Sequence, residues 1–282
     1  MGIKVRKGIL TMPYLDVPGA KLYYEVDGPE DAPALVFIHA GIAHLRMWDP
    51  QIPHYAGRFR VIRYDTRGFG KTFSDAVEFS NRADLRALLD HLGVERAVIV
   101  GCSRGGNIAL DFALESPERA QAVVMVCSAP PPPQFEPPDD EAALDERIAE
   151  LDEAGQHHER IEAELKMWVI GVRRDAAALS PGYIEAFRQM GIDNLAHLEK
   201  PAPTPITLHP PSSERLGEIA FPLLIITGEE DESFARAGAA HVVAHVPSAR
   251  TVMMPDTAHV PNFEHPARFN AILDDFLREI GA

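Results

Sequence analysis

The stretch at residues 96–114, RAVIVGCSRGGNIALDFAL, constrains the fold of this chain more than any other. An apolar run leads through Gly101 into Ser103, and a helical pattern begins directly after Gly105 and Gly106. A buried strand that turns at once into a helix brings backbone segments close together, so the corner needs small residues. The stretch therefore predicts either a small polar turn or a strained corner that presents a serine hydroxyl.

Residues 101–105, GCSRG, match the pattern G-x-S-x-G. At such a corner the serine backbone is strained and its oxygen stands clear of the sheet, where it can act as a nucleophile. Glycine and serine are common residues, so the pattern is informative only because a predicted strand precedes it and a predicted helix follows it. We interpret Ser103 as the candidate nucleophile, and a turn of small residues is the alternative.

Apolar stretches alternate with helical patterns along most of the chain. Residues 14–28 predict two short strands joined at a Pro-Gly turn, and further strands are predicted at ALVFIHA (34–40), FRVIRYD (59–65), AVIVG (97–101), AVVMVCSA (122–129), FPLLIITG (221–228) and RTVMMP (250–255). Strands that are apolar on both faces and alternate with helices indicate a parallel sheet covered on two sides. The predicted fold class is α/β.

A helical insertion interrupts this alternation. Residues 130–140 are proline-rich, the segment from Glu141 to about Leu198 has a helical and strongly acidic pattern, and a second proline-rich stretch closes it. Open α/β sheets bind ligands at the carboxyl ends of their strands, where such an insertion would lie. We expect a core domain at residues 1–130 and 210–282 and a helical cap at residues 131–209.

A serine nucleophile needs a base and an acid that orients the base. Asp231 follows the strand at 221–228 and His259 follows the strand at 250–255, so both lie past strand ends and in the chain order serine, acid, base. We interpret Ser103, Asp231 and His259 as a catalytic triad. The alternative acids are Glu229, Glu230 and Asp256, and the alternative base is His265.

The remaining parts of such a site are an oxyanion hole and a substrate pocket. The backbone N–H of Arg104, next to the serine, predicts one oxyanion donor, and the N–H of Gly41 after an early strand predicts the other, with Ile42 as the reserve. Bulky side chains near these loops and in the insertion are candidates for substrate binding, with core packing as the alternative: Ile42, Trp48, Met167 and Trp168.

These motifs together resemble those of the α/β-hydrolase-fold enzymes, in the order and spacing of that family: FIHAG, MWDPQ, RYDTRGFGKT, VGCSRGG, ITGEED and AHVPNFEHP. The resemblance implies a mostly parallel eight-stranded sheet with helices on both faces and a helical cap inserted after the sixth strand. Two departures affect the local backbone, because the family usually has His-Gly at His39-Ala40 and Gly-His at Ala258-His259. The aspartate nucleophile of dehalogenases and epoxide hydrolases is absent, which excludes those reactions.

Arg104 is a third unusual feature, since the family more often has an apolar residue such as methionine after the nucleophile. A guanidinium at this corner needs a partner, because an unpaired charge beside a largely dry pocket is costly. The partner is either a carboxylate of the substrate or an acidic side chain of the cap. The acidic composition of the insertion favours the cap.

Composition excludes several other classes. The formal net charge of −15 disfavours nucleic acid as a partner, and no apolar run is long enough to span a membrane or to form a secretion signal. Only Cys102 and Cys127 are present, in no metal-ligand spacing, and no phosphate-binding loop occurs. We expect a soluble cytoplasmic protein without a cofactor or bound metal, which acts on a small molecule and can form a homodimer.

The sequence therefore predicts a cofactor-independent serine hydrolase that cleaves a carboxylic ester or a lactone of a small, partly apolar acid through an acyl-enzyme. A carbon–carbon bond hydrolase of the same fold is one alternative. The other is a ligand receptor that keeps the triad without turnover.

Overall fold

The computed structural model describes residues 13–199 and 201–282 and contains one central mixed sheet. Its eight main strands are β1 (Tyr14–Val17), β2 (Ala20–Asp27), β3 (Ala34–Ile38), β4 (Arg60–Tyr64), β5 (Ala97–Cys102), β6 (Ala120–Val126), β7 (Leu223–Gly228) and β8 (Arg250–Met254). They lie in the order β1-β2-β4-β3-β5-β6-β7-β8, and β3 to β8 run parallel. The antiparallel pairs are β1 with β2 and β2 with β4. The predicted α/β fold with a mostly parallel sheet is confirmed.

Nine α-helices are found in the described residues: α1 (Ile52–Tyr55), α2 (Asn81–His91), α3 (Arg104–Glu115), α4 (Asp139–Glu153), α5 (His157–Glu164), α6 (Pro181–Asn194), α7 (Ser233–His245), α8 (Pro261–Glu264) and α9 (Pro266–Glu279). A π-helical segment, Leu165–Gly171, follows α5. Short 3-10 turns occupy Leu45–Gln51, Pro117–Arg119, Ala176–Ala178, Leu195–Glu199, Ser212–Glu214 and Leu216–Glu218. Two-residue strands occur at Phe73–Ser74, Glu78–Phe79 and Thr204–Pro205.

The sheet is covered on both faces because successive residues of its strands point to opposite sides. In β5, Val98 and Val100 belong to one hydrophobic cluster, whereas Ala97 and Ile99 belong to another, and all four are buried. The first cluster includes Phe269 of α9. The second includes residues of α2 and α3. Burial on both sides explains why β5 has no polar face.

Residues 131–209, called the cap below, lie between β6 and β7 and hold α4, α5, the π-helical segment and α6. The cap contacts the loops that follow the strands: the Asn194 side-chain amide donates to the Ala43 carbonyl at 3.2 Å. The carbonyl of Trp168 accepts a hydrogen bond from the N–H of His259 at 3.0 Å. The cap therefore covers the carboxyl ends of the parallel strands, and its limits as a domain stay a prediction. In the described part of the chain, no helix is both long and apolar enough to cross a bilayer.

Candidate active site

Ser103 lies at the corner between β5 and α3, with a backbone φ of 52° and ψ of −120°. Its N–H donates to the Val126 carbonyl at 2.8 Å, so the strained conformation is held by the neighbouring strand β6. A Cβ on Gly101 would lie 2.1 Å from the Gly105 carbonyl oxygen, and a Cβ on Gly105 would lie 2.4 Å from the Ile38 oxygen. Both flanking glycines are therefore required by close backbone approach, as the pattern predicts.

The strain at Ser103 gives a stability prediction. A non-glycine residue at this φ costs about 1–3 kcal/mol of folding free energy, and glycine removes most of this cost. Glycine also raises the entropy of the unfolded chain, which offsets part of the gain in stability. Against Ser103→Ala as the matched control, we expect Ser103→Gly to unfold at a melting temperature about 2–4 °C higher. Calorimetry of the two inactive variants measures the difference. Equal melting temperatures would show that the strain relieved at the corner is no larger than the entropy cost of glycine.

The acid and base meet past the ends of two neighbouring strands. Nδ1 of His259, after β8, lies 2.7 Å from Oδ1 of Asp231, after β7, and both side chains are buried. A carboxylate only accepts hydrogen bonds, so Nδ1 carries the proton and Nε2 is left as the basic nitrogen. The Cys102 thiol, next to Ser103 in sequence, donates to the His259 carbonyl at 3.4 Å. The structure thus brings together the strand ends that carry the three predicted residues.

The alternative acids and base lie elsewhere. Among the described residues, Asp231 is the carboxylate that pairs with the His259 imidazole. An oxygen of Glu229 accepts from the Asp256 N–H, and Asp256 has a φ of 57° in an exposed turn. His265 precedes α9. The geometry therefore favours Asp231 and His259 over these residues.

The environment of His259 sets its proton affinity. Burial lowers the pKa, but the charge and hydrogen bond of Asp231 and the charge of Glu232 outweigh it and raise the pKa of His259 above 6.5. Glu232 also accepts a hydrogen bond from Trp168 Nε1 at 3.2 Å, which links it to the cap. Sequence analysis missed Glu232, although it stands beside Asp231 in EEDES.

One cluster with the composition of a metal site occurs in the described part of the chain. The ligand atoms of Cys127, Asp231 and His259 lie within 4.8 Å of one another. Burial raises the pKa of the Cys127 thiol well above its usual value, whereas a metal ligand must be a thiolate. Nδ1 of His259 is already engaged with Asp231. The residues therefore fit a protonated thiol beside the acid and base better than a metal.

The loop that carries Gly41 lies against the side chain of Arg104. Arg104 is the first residue of α3, and a Cβ on Gly41 would lie 3.9 Å from its Cδ. Within residues 13–199 and 201–282, the N–H groups of Gly41 and Arg104 donate to no backbone or side-chain acceptor, and neither does the N–H of Ile42. A helix N-terminus with free N–H groups suits a developing negative charge.

His39 holds the loop that carries Gly41. Its Nε2 accepts from the Thr66 N–H at 3.0 Å, so Nδ1 carries the proton and donates to the Ala40 carbonyl at 2.8 Å. Burial lowers the pKa of His39 to about 3. The imidazole is therefore neutral, and its hydrogen bonds connect the loops after β3 and β4.

The candidate substrate-binding residues fall into two groups. Ile42 lines a cavity of about 180 Å³ beside Gly41, Phe69 and cap residues, and the half-buried Trp168 ring lies 6.3 Å from the His259 ring. Trp48 instead packs in the hydrophobic core, 4.7 Å from Phe37 between ring centroids. The other candidate in the cap is Met167, which is buried.

The sequence model of the alpha/beta hydrolase fold family matches residues 33–266 of this chain. The chain belongs to this family. Neither departure from the usual motifs strains the backbone of this alpha/beta hydrolase. Among the described non-glycine residues, positive φ values occur at Ser103, Cys127 and Asp256, and not at Ala40 or Ala258. Alanine therefore fits at both positions.

Three relatives of this alpha/beta hydrolase are hydrolases of different substrates. The 3-oxoadipate enol-lactonase 2 of Acinetobacter baylyi is 26% identical over 91% of this chain and 93% of its own length. A 2-hydroxy-6-oxononadienedioate/2-hydroxy-6-oxononatrienedioate hydrolase of Paraburkholderia phymatum is 33% identical over 78% of this chain and 76% of its own.

The third relative is the carboxylesterase YbfK of Bacillus subtilis, 26% identical over 94% of this chain and 86% of its own length. Its crystal structure matches this alpha/beta hydrolase with a TM-score of 0.73 over 94% of this chain and 90% of that one, at 24% identity. The relatives support hydrolase activity and leave the type of bond open.

Proposed function

We propose that this alpha/beta hydrolase is a serine hydrolase that cleaves a carboxylic ester or a lactone of a small, partly apolar acid, without a cofactor. One observation carries the proposal: Ser103 stands at a strained strand-to-helix corner beside the strand ends that hold a buried His259–Asp231 pair at 2.7 Å. The enol-lactonase and carboxylesterase relatives act on such bonds by name. Cleavage of such bonds by a serine hydrolase needs a nucleophile, an imidazole base and an acid that orients the imidazole.

Each group has a defined role in the proposed reaction. Oγ of Ser103 attacks the carbonyl carbon while Nε2 of His259 takes the hydroxyl proton, and Asp231 holds the imidazole in the required tautomer. The N–H groups of Arg104 and Gly41 stabilise the oxyanion by about 3 kcal/mol per donor. The imidazolium then gives its proton to the leaving alkoxide, which departs as alcohol. Water then attacks the acyl carbonyl while His259 takes its proton. The imidazolium gives this proton to Oγ of Ser103, and the acid is released.

A carbon–carbon bond hydrolase is the second candidate, favoured by the relative that acts on a hydroxy-oxo-dienedioate at 33% identity. The two reactions would use the same triad and oxyanion donors, so fold does not separate them. A receptor that retains the triad would bind a ligand without turnover.

A panel of substrates tests the proposal directly. The purified protein is assayed with p-nitrophenyl acetate, γ-lactones and a 2-hydroxy-6-oxo-dienedioate, and rapidly quenched samples are analysed by mass spectrometry for an acyl group on Ser103. Multiple turnover of an ester or lactone with acylated Ser103 supports the proposal. Turnover of the dienedioate alone supports the second candidate, and a single burst supports a receptor. Ser74→Ala, at a half-buried serine whose hydroxyl donates to the adjacent Asp75 carbonyl, is the matched control for Ser103→Ala.

The pH dependence follows from the environment of His259. Only neutral His259 accepts the serine proton, so we expect kcat/KM to be low in acid and to rise with pH through a midpoint above 6.5. Glu232→Gln removes a charge that raises this pKa, so the midpoint should move to lower pH. Glu229→Gln, at an exposed carboxylate, should leave the midpoint in place. A flat profile between about pH 5 and 8 would mean that His259 is not the base.

A further inference from the structure

Arg104 is a cation without an internal counterion. Its Nη1 donates to Thr66 Oγ1 at 2.6 Å, its Nη2 donates to Asn81 Oδ1 at 3.4 Å, and its guanidinium carbon lies 4.8 Å from the Phe69 ring centroid. These partners are all uncharged. No carboxylate within residues 13–199 and 201–282 forms a salt bridge or hydrogen bond with Arg104. The rest of the sequence, residues 1–12 and 200, contains no aspartate or glutamate.

This absence corrects the expectation that the acidic cap pairs with Arg104. Three acidic side chains of the cap instead pair with arginines of the cap: Glu164 with Arg160, Glu141 with Arg173, and Glu162 with Arg188. Every other arginine of the described residues bonds at least one carboxylate or backbone carbonyl, including Arg60, Arg96, Arg236 and Arg268, which bond carbonyls. Arg104 is the exception.

The position of Arg104 places its side chain beside the loop that carries Gly41. It follows Ser103 directly, its Cδ approaches Gly41, and the Phe69 ring on which its guanidinium stacks lines the same cavity as Gly41. The side chain is partly exposed. Arg160 of the cap lines this cavity, but its charge is shared with Glu164 and Asp152. Of these two cations, only Arg104 has a charge left for a ligand.

We infer that Arg104 binds a carboxylate of the substrate, so that the preferred substrates are monoesters of dicarboxylic acids or lactones that carry a free carboxylate. This inference rests on the proposed function and names its substrate class. A guanidinium has five N–H donors, and two are used by Thr66 and Asn81. The others suit the two oxygens of a carboxylate. Burial lowers the pKa of Arg104 to about 10, which leaves it charged at neutral pH.

The test compares two esters that differ only in the remote group: monomethyl adipate, which has a free carboxylate, and dimethyl adipate, which is neutral. Methanol release gives kcat/KM for each. We expect the wild-type enzyme to prefer the monoester. Arg104→Met should lower kcat/KM for the monoester by about 10- to 100-fold and change the value for the diester by less than about 3-fold. Arg58→Gln, at an exposed arginine that pairs with Asp274 outside the cavity, should not change the ratio between the two esters.

Equal losses on both esters, or a wild-type preference for the diester, would overturn the inference and leave Arg104 as a structural contact with Thr66 and Asn81. A binding measurement covers the case in which Arg104→Met folds poorly or no ester is turned over. Adipate, compared with neutral adipamide, should raise the melting temperature of the wild-type protein and of Ser103→Ala, and Arg104→Lys should reduce this shift. No difference between adipate and adipamide would also overturn the inference. Turnover of neither adipate ester and of no ester or lactone in the panel above, with adipate bound, would contradict the proposed function alone.

Discussion

Replacing Ser103 or His259 by Ala is expected to lower kcat for ester hydrolysis by about 10⁴- to 10⁶-fold, the range found when a triad residue is lost. The reason is that the proposed reaction needs both the hydroxyl and the imidazole that takes its proton, and His259 is the imidazole paired with Asp231 past the ends of β7 and β8. Because the two groups act as a unit, the double variant should be no slower than either single variant. Initial rates with p-nitrophenyl acetate, corrected for the uncatalysed reaction, measure all three.

His265→Ala is the matched control for the base, since it removes a histidine six positions away that precedes α9. It should retain most of the wild-type rate. If His265→Ala is inactive while His259→Ala keeps its activity, the base is misassigned. Full activity of Ser103→Ala would show that Ser103 is not the nucleophile, and it would contradict the proposed acyl-enzyme.

Asp231→Asn is expected to lower kcat by about 10⁴-fold. Asparagine is similar in size, but its amide can donate a hydrogen bond to His259, which favours the tautomer with the proton on Nε2 and removes the basic nitrogen. Glu229→Gln and Asp256→Asn are the matched controls, because they remove two of the three carboxylates that the sequence allows as alternatives, and neither pairs with the imidazole. Both should stay within about 3-fold of the wild-type rate.

The rates of these three variants at the pH of maximal activity show which carboxylate orients the His259 imidazole. The assignment is wrong if Asp231→Asn is as fast as the wild type and one of the controls is inactive. An unchanged melting temperature of Asp231→Asn would show that the loss arises from the tautomer and not from unfolding.

The succession of buried strands along the chain and the corner at Ser103 follow from local sequence. A strand buried on both faces must be apolar at every position, and a tight corner must have glycines. The same reasoning places Asp231 and His259 at one edge, because parallel strands end on the same side. Ion pairing does not follow in this way. The composition of the cap predicts a partner for Arg104, but the carboxylates pair with arginines in their own surroundings, such as Arg173 with Glu141.

Trp48 is a second residue whose surroundings the local sequence pattern does not determine. It stands seven residues after Gly41 in sequence, and the pattern there allows either a place in the pocket or a place in the core. The 3-10 turn Leu45–Gln51 instead directs its indole towards Phe37 and Phe269 in the core. A large aromatic side chain is stabilised equally by a core and by a pocket. Only the path of the backbone between Gly41 and Trp48 decides between them.

The hydrogen bond from the His259 N–H to the Trp168 carbonyl makes the cap part of the support for the base. A cap segment bonded to the backbone of His259 cannot move away as a rigid lid without breaking this hydrogen bond. Substrate entry would then depend on the other cap elements, such as α6 and the turn that follows it, while the segment around Trp168 stays in place. A cap grafted onto this core without a carbonyl at the same point would leave the N–H of the buried His259 unpaired.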